Sequence, residues 1–297
     1  MRIESRGDGL VLWSPSKINL FLEIKGKRDD GYHDLVTVMQ TIDLCDELEI
    51  QPSSDEQIHF ECNHPDVPED SSNLVVRAAL ELRKLTGQTS GVSMSLRKLA
   101  PVGGGIGGGS GNAAAALIGL NRFWELDLEP AILHQVASSL GSDINFFLEE
   151  GTCLCTGRGE HVQPLPPENR LHYVLLMPPF GVATAEVFRA MRPSLNNKIE
   201  DVNILLKALE NRDFSAICGS IFNRLESPAF SLHPVLGKIK SQLEAIATGR
   251  VMMSGSGSTM YVLCPDLEDA ARLETAIAEL KLGRIYRTAS ADNVGQL

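Results

Sequence analysis

The chain has 297 residues, of which 43% are hydrophobic and 22% are charged, a composition typical of folded globular proteins rather than disordered ones. Its length predicts two domains, which we place at residues 1–160 and 161–297. The formal net charge of −11 argues against nucleic acid or an anionic membrane as a partner, because binding to either requires a basic face.

The apolar runs and the cysteines predict a reduced, cytoplasmic protein. The first residues combine acidic side chains with no apolar run, so we expect no secretory leader. No apolar run approaches the roughly 20 residues that a membrane-spanning helix needs. The six cysteines include no Cys-x-x-Cys pair, which indicates neither a zinc site nor a dense disulfide framework.

The first half of the chain shows both strand and helix periodicity. Apolar residues alternate with polar ones over residues 18–25 and again over 92–97, which predicts two strands. Helical spacing follows the candidate N-caps at 71–73 and continues to residue 85, and it recurs over 112–124 and 130–140. The segment between residues 98 and 111 therefore connects a strand to a helix.

The second half mixes strands and helices without strict alternation. We expect strands at 173–177, 260–264 and 284–288, and helices at 183–191, 200–209, 214–225, 233–248 and 266–280. This arrangement predicts an α+β fold in both halves of the chain.

The most informative segment contains six glycines in the seven positions 103–109 and leads directly into a run of alanines. So many glycines would destabilise a helix or a strand, so we interpret them as permitting unusual dihedral angles and close backbone approach. A glycine turn that opens a helix presents unpaired N–H groups and the positive end of the helix dipole. The segment therefore predicts a phosphate-binding loop.

Three other interpretations of this loop are weaker. A Walker A loop ends in Gly-Lys-Ser or Gly-Lys-Thr, whereas Gly109 is followed here by Ser110 and Gly111. The glycine spacing also matches a dinucleotide-binding fingerprint, but the acidic residue downstream, Asp127, lies between two helical patterns and not at the end of a strand. A plain structural turn requires one or two glycines, not six.

Four further segments carry polar residues suited to chemistry. On the first strand, Lys17 and Asn19 are two residues apart and so point to the same face. Residues 31–35 read Gly-Tyr-His-Asp-Leu and follow a basic cluster. Residues 141–143, Gly-Ser-Asp, place the carboxylate of Asp143 just after a predicted helix end, and residues 254–259 form a second loop of glycine and serine.

Together these motifs resemble the kinase superfamily of galactokinase, homoserine kinase, mevalonate kinase and phosphomevalonate kinase, the GHMP kinases. The resemblance covers nearly the whole chain and implies two α+β domains, the second ferredoxin-like. It implies an active site in the cleft between the two domains. The last strand of the chain could also pack against the first domain. The strings at 27–35 and 156–160 resemble the branch that phosphorylates the 2-hydroxyl of a cytidine-diphosphate ester of methylerythritol, in the non-mevalonate route to isoprenoids.

The resemblance implies catalytic roles for two residues. Asp143 would orient the attacking hydroxyl and accept its proton, and Lys17 would pair with Asp143 and keep it ionised. The structural alternatives are a capping or turn role for Asp143 after Gly141 and a solvated strand position for Lys17.

ATP would be held by the loop amides, with Mg²⁺ offsetting the phosphate charge in this acidic protein. The implied ATP contacts are Asn73, Lys98, Pro101, Val102, Gly103, Gly104, Gly105, Ile106, Gly107, Gly108, Gly109, Ser110 and Gly111. Lys98 has an alternative as a surface lysine at a strand end. No dedicated protein metal site is expected, and the loop at 254–259 would support the phosphate region or close over the substrate, its alternative being a plain β-turn.

The implied substrate contacts are a small group around the cytosine ring and the polyol. Tyr32 and Phe188 would stack on the two faces of the base, His33 would read its polar edge, and Asn19 would contact a substrate hydroxyl. For Phe188 a place in the core is nearly as compatible with its helical pattern. The implied partner is thus a small molecule, and we expect a monomer or a weak homodimer.

Three positions depart from the superfamily pattern, in which leucine, serine and proline usually occupy the places of Ile106, Gly111 and Asn145. Asn145 lies two residues past the proposed base, so a divergent paralogue that binds nucleotide without catalysis stays open. A kinase of the same superfamily acting on another small alcohol is the other alternative. The presence of both Lys17 and Asp143 disfavours the non-catalytic one.

Overall fold

The computed structural model describes residues 1–29, 31–166, 170–191 and 199–291, which form two β-sheets with helices packed against them. The strands are β1 (Arg2–Arg6), β2 (Gly9–Lys27), β3 (His33–Pro52), β4 (Ile58–Cys62), β5 (Val92–Arg97), β6 (Thr152–Gly157), β7 (His161–Pro164), β8 (His172–Met177), β9 (Phe222–Asn223), β10 (Val251–Met253), β11 (Met260–Cys264) and β12 (Arg284–Ala289). The helices are α1 (Leu74–Thr86), α2 (Gly108–Phe123), α3 (Pro130–Leu140), α4 (Ile144–Glu149), α5 (Thr184–Ala190), α6 (Val202–Glu210), α7 (Phe214–Ser220), α8 (Glu226–Leu232), α9 (Pro234–Ile246) and α10 (Leu267–Ala278). Within these described ranges no helix is both long enough and apolar enough to cross a membrane.

The first sheet is built around the long antiparallel pair of β2 and β3. Its main order is β1-β2-β3-β5-β4, with β6 on β3, β7 on β6 and β9 parallel to β2. Because β3 is 20 residues long, it pairs with β6 through residues 35–40 and with β5 through residues 47–52. Helices α1 to α4 contribute to one buried apolar cluster with this sheet, and Ala113–Ala116 of α2 are fully buried in it.

The second sheet has the order β10-β11-β8-β12, with every neighbouring pair antiparallel. Counted by their order along the chain, the four strands lie across the sheet as second, third, first and fourth, which is the arrangement of a ferredoxin-like domain. The predicted α+β fold is therefore confirmed for both halves of the chain.

The two sheets share a core that fixes β2 against the second half of the chain. Ile18 and Phe21 of β2 belong to the same buried cluster as Tyr173 of β8 and Tyr261 of β11. The Tyr261 hydroxyl donates a hydrogen bond of 2.9 Å to the backbone carbonyl of Asn19, so a buried polar group is satisfied between the two sheets. Any side chain that β2 directs towards this junction is held in a defined position.

Two of the sequence predictions for secondary structure are wrong in detail. The helix expected from residue 112 begins at Gly108, so part of the glycine run is helical, because burial of the alanines outweighs the roughly 1 kcal/mol that each glycine costs. The helix expected over 214–225 ends at Ser220, and β9 follows because Phe222 and Asn223 find pairing partners on β2.

The domain boundary at 160/161 stays a prediction. It falls between β6 and β7, which are neighbouring strands of the first sheet, and β9 also joins that sheet from the second half. The last strand, β12, pairs with β8 in the second sheet, while Ser290 just beyond it forms a bridge with Ile42 of β3.

Helix α1 begins at an N-cap that the sequence indicated. The Asn73 side chain accepts a hydrogen bond of 2.8 Å from the Val75 amide and donates one of 2.7 Å to the Pro68 carbonyl. Asn73→Ala should lower the free energy of unfolding by about 1–2 kcal/mol, the usual cost of losing such a cap. Urea unfolding without nucleotide measures this change. The control is Ser72→Ala at an exposed neighbouring position, which should leave the urea midpoint of the parent protein unchanged. Equal midpoints for the two variants would contradict the prediction.

Candidate active site

The glycine loop lies where β2, α2 and the second sheet meet. The Lys17 amide of β2 donates a hydrogen bond of 2.8 Å to the Ile106 carbonyl, which fastens the loop to the first sheet. On the other side, the Ser254 hydroxyl donates to the Gly105 carbonyl at 3.1 Å, and the Thr259 amide donates to the Gly104 carbonyl at 3.3 Å. The loop at 254–259 therefore supports the glycine loop and is more than a β-turn.

A cavity of about 380 Å³ opens over the loop and the start of α2, and most of the predicted ATP contacts line it. They are Asn73, Lys98, Pro101, Val102, Gly103, Gly104, Gly105, Ile106, Gly107, Gly108, Gly109 and Ser110. Gly111 is buried one residue further along α2 and is not among its lining residues. The first amides of α2 give this cavity the character of an anion site.

Two of the predicted ATP contacts have their polar groups engaged elsewhere. Asn73 is the N-cap of α1, and its amide is used by Val75 and Pro68. Lys98 is not a surface lysine: its ammonium forms a buried ion pair with Asp46 and donates to Asn112 Oδ1 at 3.3 Å. Direct contact of either side chain with adenine stays a prediction.

Lys17 and Asn19 share a face of β2, as the strand period requires; Lys17 reaches the glycine loop, and Asn19 lies beside Gly255 of the loop at 254–259. The Lys17 ammonium donates to Asn19 Oδ1 at 2.6 Å and to the Gly105 carbonyl at 3.3 Å. Its nearest carboxylate oxygen is Asp143 Oδ2 at 3.7 Å, an ion pair longer than a hydrogen bond. Burial lowers the pKa of Lys17, and attraction to Asp143 opposes that shift.

Asp143 occupies the N-cap position of α4, but its side chain makes no capping hydrogen bond there. Its carboxylate instead faces Lys17 and lines a larger cavity of about 1170 Å³. The side chain is 37% exposed, compared with 5% for Lys17, so the carboxylate is accessible while its cationic partner is not. A carboxylate in this position can accept a proton from a bound hydroxyl group.

Aromatic side chains also line the larger cavity. Tyr32 is 54% exposed, and the rings of His33 and Phe188 lie 5.2 Å apart at 35°. Phe188 also packs against the second apolar cluster, so its two proposed roles are compatible. Burial, and then the nearby charge of Lys27, lower the pKa of His33, which favours the neutral imidazole.

The family-model comparisons match both halves of the chain. The GHMP kinase N-terminal domain matches residues 73–151 and the GHMP kinase C-terminal domain matches residues 205–281. A 4-diphosphocytidyl-2-C-methyl-D-erythritol kinase of Pelotomaculum thermopropionicum is 44% identical over 87% of this chain and 90% of its own length. The enzyme of the same name from Bacillus subtilis is 37% identical over 84% and 86%.

The chain belongs to the 4-diphosphocytidyl-2-C-methyl-D-erythritol kinase family. A crystal structure of a kinase of this family aligns with a TM-score of 0.80 and 33% identity over 95% of this chain and all of its own. Homoserine kinase from Cytophaga hutchinsonii aligns with a TM-score of 0.76 over 98% of this chain and 97% of its own, but at 19% identity it shows the fold alone. GHMP kinases are ATP-dependent, so the phosphoryl donor of this family is ATP.

The larger cavity also contains cations to which the sequence motifs assigned no role. Arg158 lies with its guanidinium 4.9 Å from the centre of the Tyr32 ring, and Arg189 of α5 lines the same cavity. Lys25 and Lys27 at the end of β2 line it as well. The Thr-Gly-Arg-Gly-Glu string at 156–160 could have indicated a role for Arg158, but only the folded chain brings Arg158 to Tyr32.

Gly107 is the position where the loop tolerates least change. Its φ is +71°, and an added Cβ would lie 2.9 Å from both Lys17 Cγ and Phe147 Cζ. Gly107→Val should therefore weaken ATP binding at least tenfold, because the branched side chain displaces Lys17 and strains the backbone. Calorimetric titration with ATP measures this affinity. The matched control is Gly219→Val in α7, where an added Cβ would meet no neighbouring heavy atom within 4 Å. Unchanged ATP affinity in Gly107→Val would contradict the prediction.

Proposed function

We propose that this protein transfers the γ-phosphoryl group of ATP to the 2-hydroxyl of 4-diphosphocytidyl-2-C-methyl-D-erythritol, in the non-mevalonate pathway to isoprenoids. The observation that carries the proposal is the position of the Lys17–Asp143 pair. Gly105 and Gly107 line both the loop cavity and the larger aromatic cavity, and the pair lies beside them. A donor in the first cavity and an acceptor alcohol in the second would meet at Asp143.

In this arrangement the substrate oxygen attacks the γ-phosphorus, its O–P bond forms as the bond to ADP breaks, and its proton passes to the Asp143 carboxylate. A carboxylate is too weak a base to deprotonate an alcohol before attack, so the proton leaves late in a loose transition state. The buried Lys17 ammonium holds the carboxylate oriented and adds positive charge where negative charge develops. Positioning therefore supplies most of the rate enhancement.

ATP would be bound by the amides of the glycine loop and of the first turn of α2. The described residues contain no group of three or more acidic, histidine or cysteine side chains that could hold a metal ion by themselves. Mg²⁺ would be carried by the nucleotide, since that ion takes most of its ligands from phosphate and water, with Ser110 and Asp143 as protein oxygens that line the two cavities. When bound, the ion would neutralise charge on the phosphates.

The larger cavity suits a nucleoside diphosphate. Tyr32 and Phe188 offer aromatic faces for the base, and neutral His33 offers both a donor and an acceptor for its edge. The cations of the same cavity, Lys25, Lys27, Arg158 and Arg189, oppose the net charge of the chain and suit the diphosphate. Asn19, two residues from Lys17, would contact a polyol hydroxyl. We further propose a cytoplasmic protein that acts as a monomer or a weak homodimer.

An ATP-consumption assay with a panel of alcohols tests the proposed activity. Turnover should depend on 4-diphosphocytidyl-2-C-methyl-D-erythritol and be absent with mevalonate or homoserine. Good turnover of either of those alcohols, with none of the cytidine compound, would overturn the proposal.

Asp143→Asn should reduce kcat by at least a hundredfold, because the amide cannot accept the proton. ATP affinity measured by calorimetry should stay within about twofold of the parent value, since the nucleotide contacts lie on the glycine loop. The control is Asp8→Asn, an exposed surface change of the same kind. Near-parental turnover of Asp143→Asn would remove this residue from its proposed role.

Base recognition predicts a clear difference between cytidine and uridine substrates. Stacking accepts any base, so Tyr32→Ala or Phe188→Ala should each cost about 1–3 kcal/mol of binding while the preference for cytidine persists. The uridine analogue exchanges a donor for an acceptor and leaves buried polar groups unpaired, so its kcat/KM should be lower by at least a hundredfold. Equal kcat/KM for the two compounds would contradict edge recognition near His33.

A further inference from the structure

A network of polar side chains close to Asp143 in sequence joins α3, α4 and the loop between β6 and β7. Its centre is the side chain of Asn145, the second residue of α4, which is 1% exposed. Asn145 Nδ2 donates to Ser138 Oγ at 2.7 Å and to the Glu160 carbonyl at 3.3 Å, and Oδ1 lies 3.1 Å from His134 Nδ1. A buried amide with three partners is held in a single orientation.

The partners themselves determine that orientation. The Ser138 hydroxyl donates its proton to the His134 carbonyl at 2.9 Å, so it can only accept from Asn145. The Glu160 carbonyl is also an acceptor only, so the NH₂ end of Asn145 must face these two groups. Asn145 Oδ1 then faces His134 Nδ1.

The same network holds α4 at both ends. His134 Nε2 lies 2.8 Å from Glu149 Oε1, so one imidazole of α3 contacts the second and the last residues of α4. Asn145 and Glu149 are four residues apart and therefore share a helix face. Asp143 makes no capping bond of its own, so these polar contacts add to the apolar packing of Ile144, Phe146 and Phe147 in fixing α4.

Through Glu160 and Arg158 the network also reaches Tyr32, which lines the larger cavity. The Glu160 carbonyl accepts from Asn145, while its carboxylate accepts from the backbone amide of Arg158 and lies 3.4 Å from Arg158 Nε. The guanidinium held in this way is the one that lies 4.9 Å from the Tyr32 ring centre. The loop also passes close to the catalytic carboxylate, since a Cβ on Gly159 would lie 3.7 Å from Asp143 Oδ1.

We propose that Asn145 is a positioning residue that sets the distance between Asp143, at the reacting hydroxyl, and Arg158, at the nucleoside-diphosphate end of the substrate. This inference rests on the proposed function. A substrate held at one end by Arg158 and Tyr32 presents its hydroxyl to Asp143 only when both segments are correctly spaced. A misplacement of about 1 Å is enough to cost a large factor in rate.

Kinetics of three alanine variants test the proposal. Asn145→Ala should lower kcat/KM for 4-diphosphocytidyl-2-C-methyl-D-erythritol about tenfold or more, whereas the Kd of ATP should change less than twofold. Ser138→Ala, which removes one partner of Asn145, should act in the same direction with a smaller effect. The matched control is Ser139→Ala, an exposed neighbour whose hydroxyl bonds only within α3, and it should match the parent protein.

A double-mutant cycle separates positioning from general stability. In the Arg158→Ala background, Asn145→Ala should lose most of its effect on kcat/KM, because the guanidinium that Asn145 positions is no longer present. If the alanine variant does not fold, Asn145→Asp replaces it in the cycle. This isosteric change sets a carboxylate against the Glu160 carbonyl and should lower kcat/KM in the same way. Additive effects in the cycle, or equal changes for ATP and for the alcohol, would overturn the proposal.

The parent enzyme distinguishes this inference from the proposed function. If the unchanged protein does not phosphorylate the cytidine compound, the proposed function fails and this inference fails with it. If the parent is active and the Asn145 and Ser138 variants match Ser139→Ala, only the positioning role is overturned.

Discussion

The structure depends on one close backbone contact, in which the glycine loop is held between β2 and the loop at 254–259. At Gly105 an added Cβ would lie 2.6 Å from the Ser254 carbonyl oxygen, so no larger residue allows the two halves of the chain to approach this closely. The approach brings Lys17 to the Gly105 carbonyl and places Gly255 beside Lys17 and Asn19. The cavity over the glycine loop, the larger cavity and the Lys17–Asp143 ion pair all adjoin this contact.

Buried charge near the site is paired, which is how an apolar junction can contain charged groups. Lys17 has Asp143, Asn19 and a backbone carbonyl as partners. Asp46 accepts from the Leu99 and Ala100 amides, in the segment that leads into the glycine loop, and also holds Lys98 and Asn112. Asp46 therefore anchors the segment before the glycine loop and the first turns of α2, while backbone contacts hold the loop itself.

The charge distribution explains how an acidic protein can select a doubly anionic substrate. The chain carries a net charge of −11, yet the larger cavity collects lysines and arginines from β2, α5 and the loop after β6. Arg224 and Arg158 both line this cavity, but Glu23 and Glu160 pair with their guanidinium groups and offset part of that positive charge. Cations in a concave, partly apolar site attract phosphate more strongly than they would on an open surface, while the acidic exterior disfavours nucleic acid.

The sequence by itself determined the fold class, the family motifs and the face shared by Lys17 and Asn19, because periodicity and loop chemistry are local properties of the chain. Through the family resemblance it also predicted Asp143 and the aromatic residues Tyr32 and Phe188, although these lie in segments far apart along the chain. The start of α2 at Gly108, the β9 strand, the pairing of Lys98 with Asp46 and the arrival of Arg158 at Tyr32 were decided only by the tertiary structure. The last three of these join residues that are 201, 52 and 126 positions apart, whose contacts arise from burial and hydrogen bonding between elements and leave no periodic signal in either segment alone.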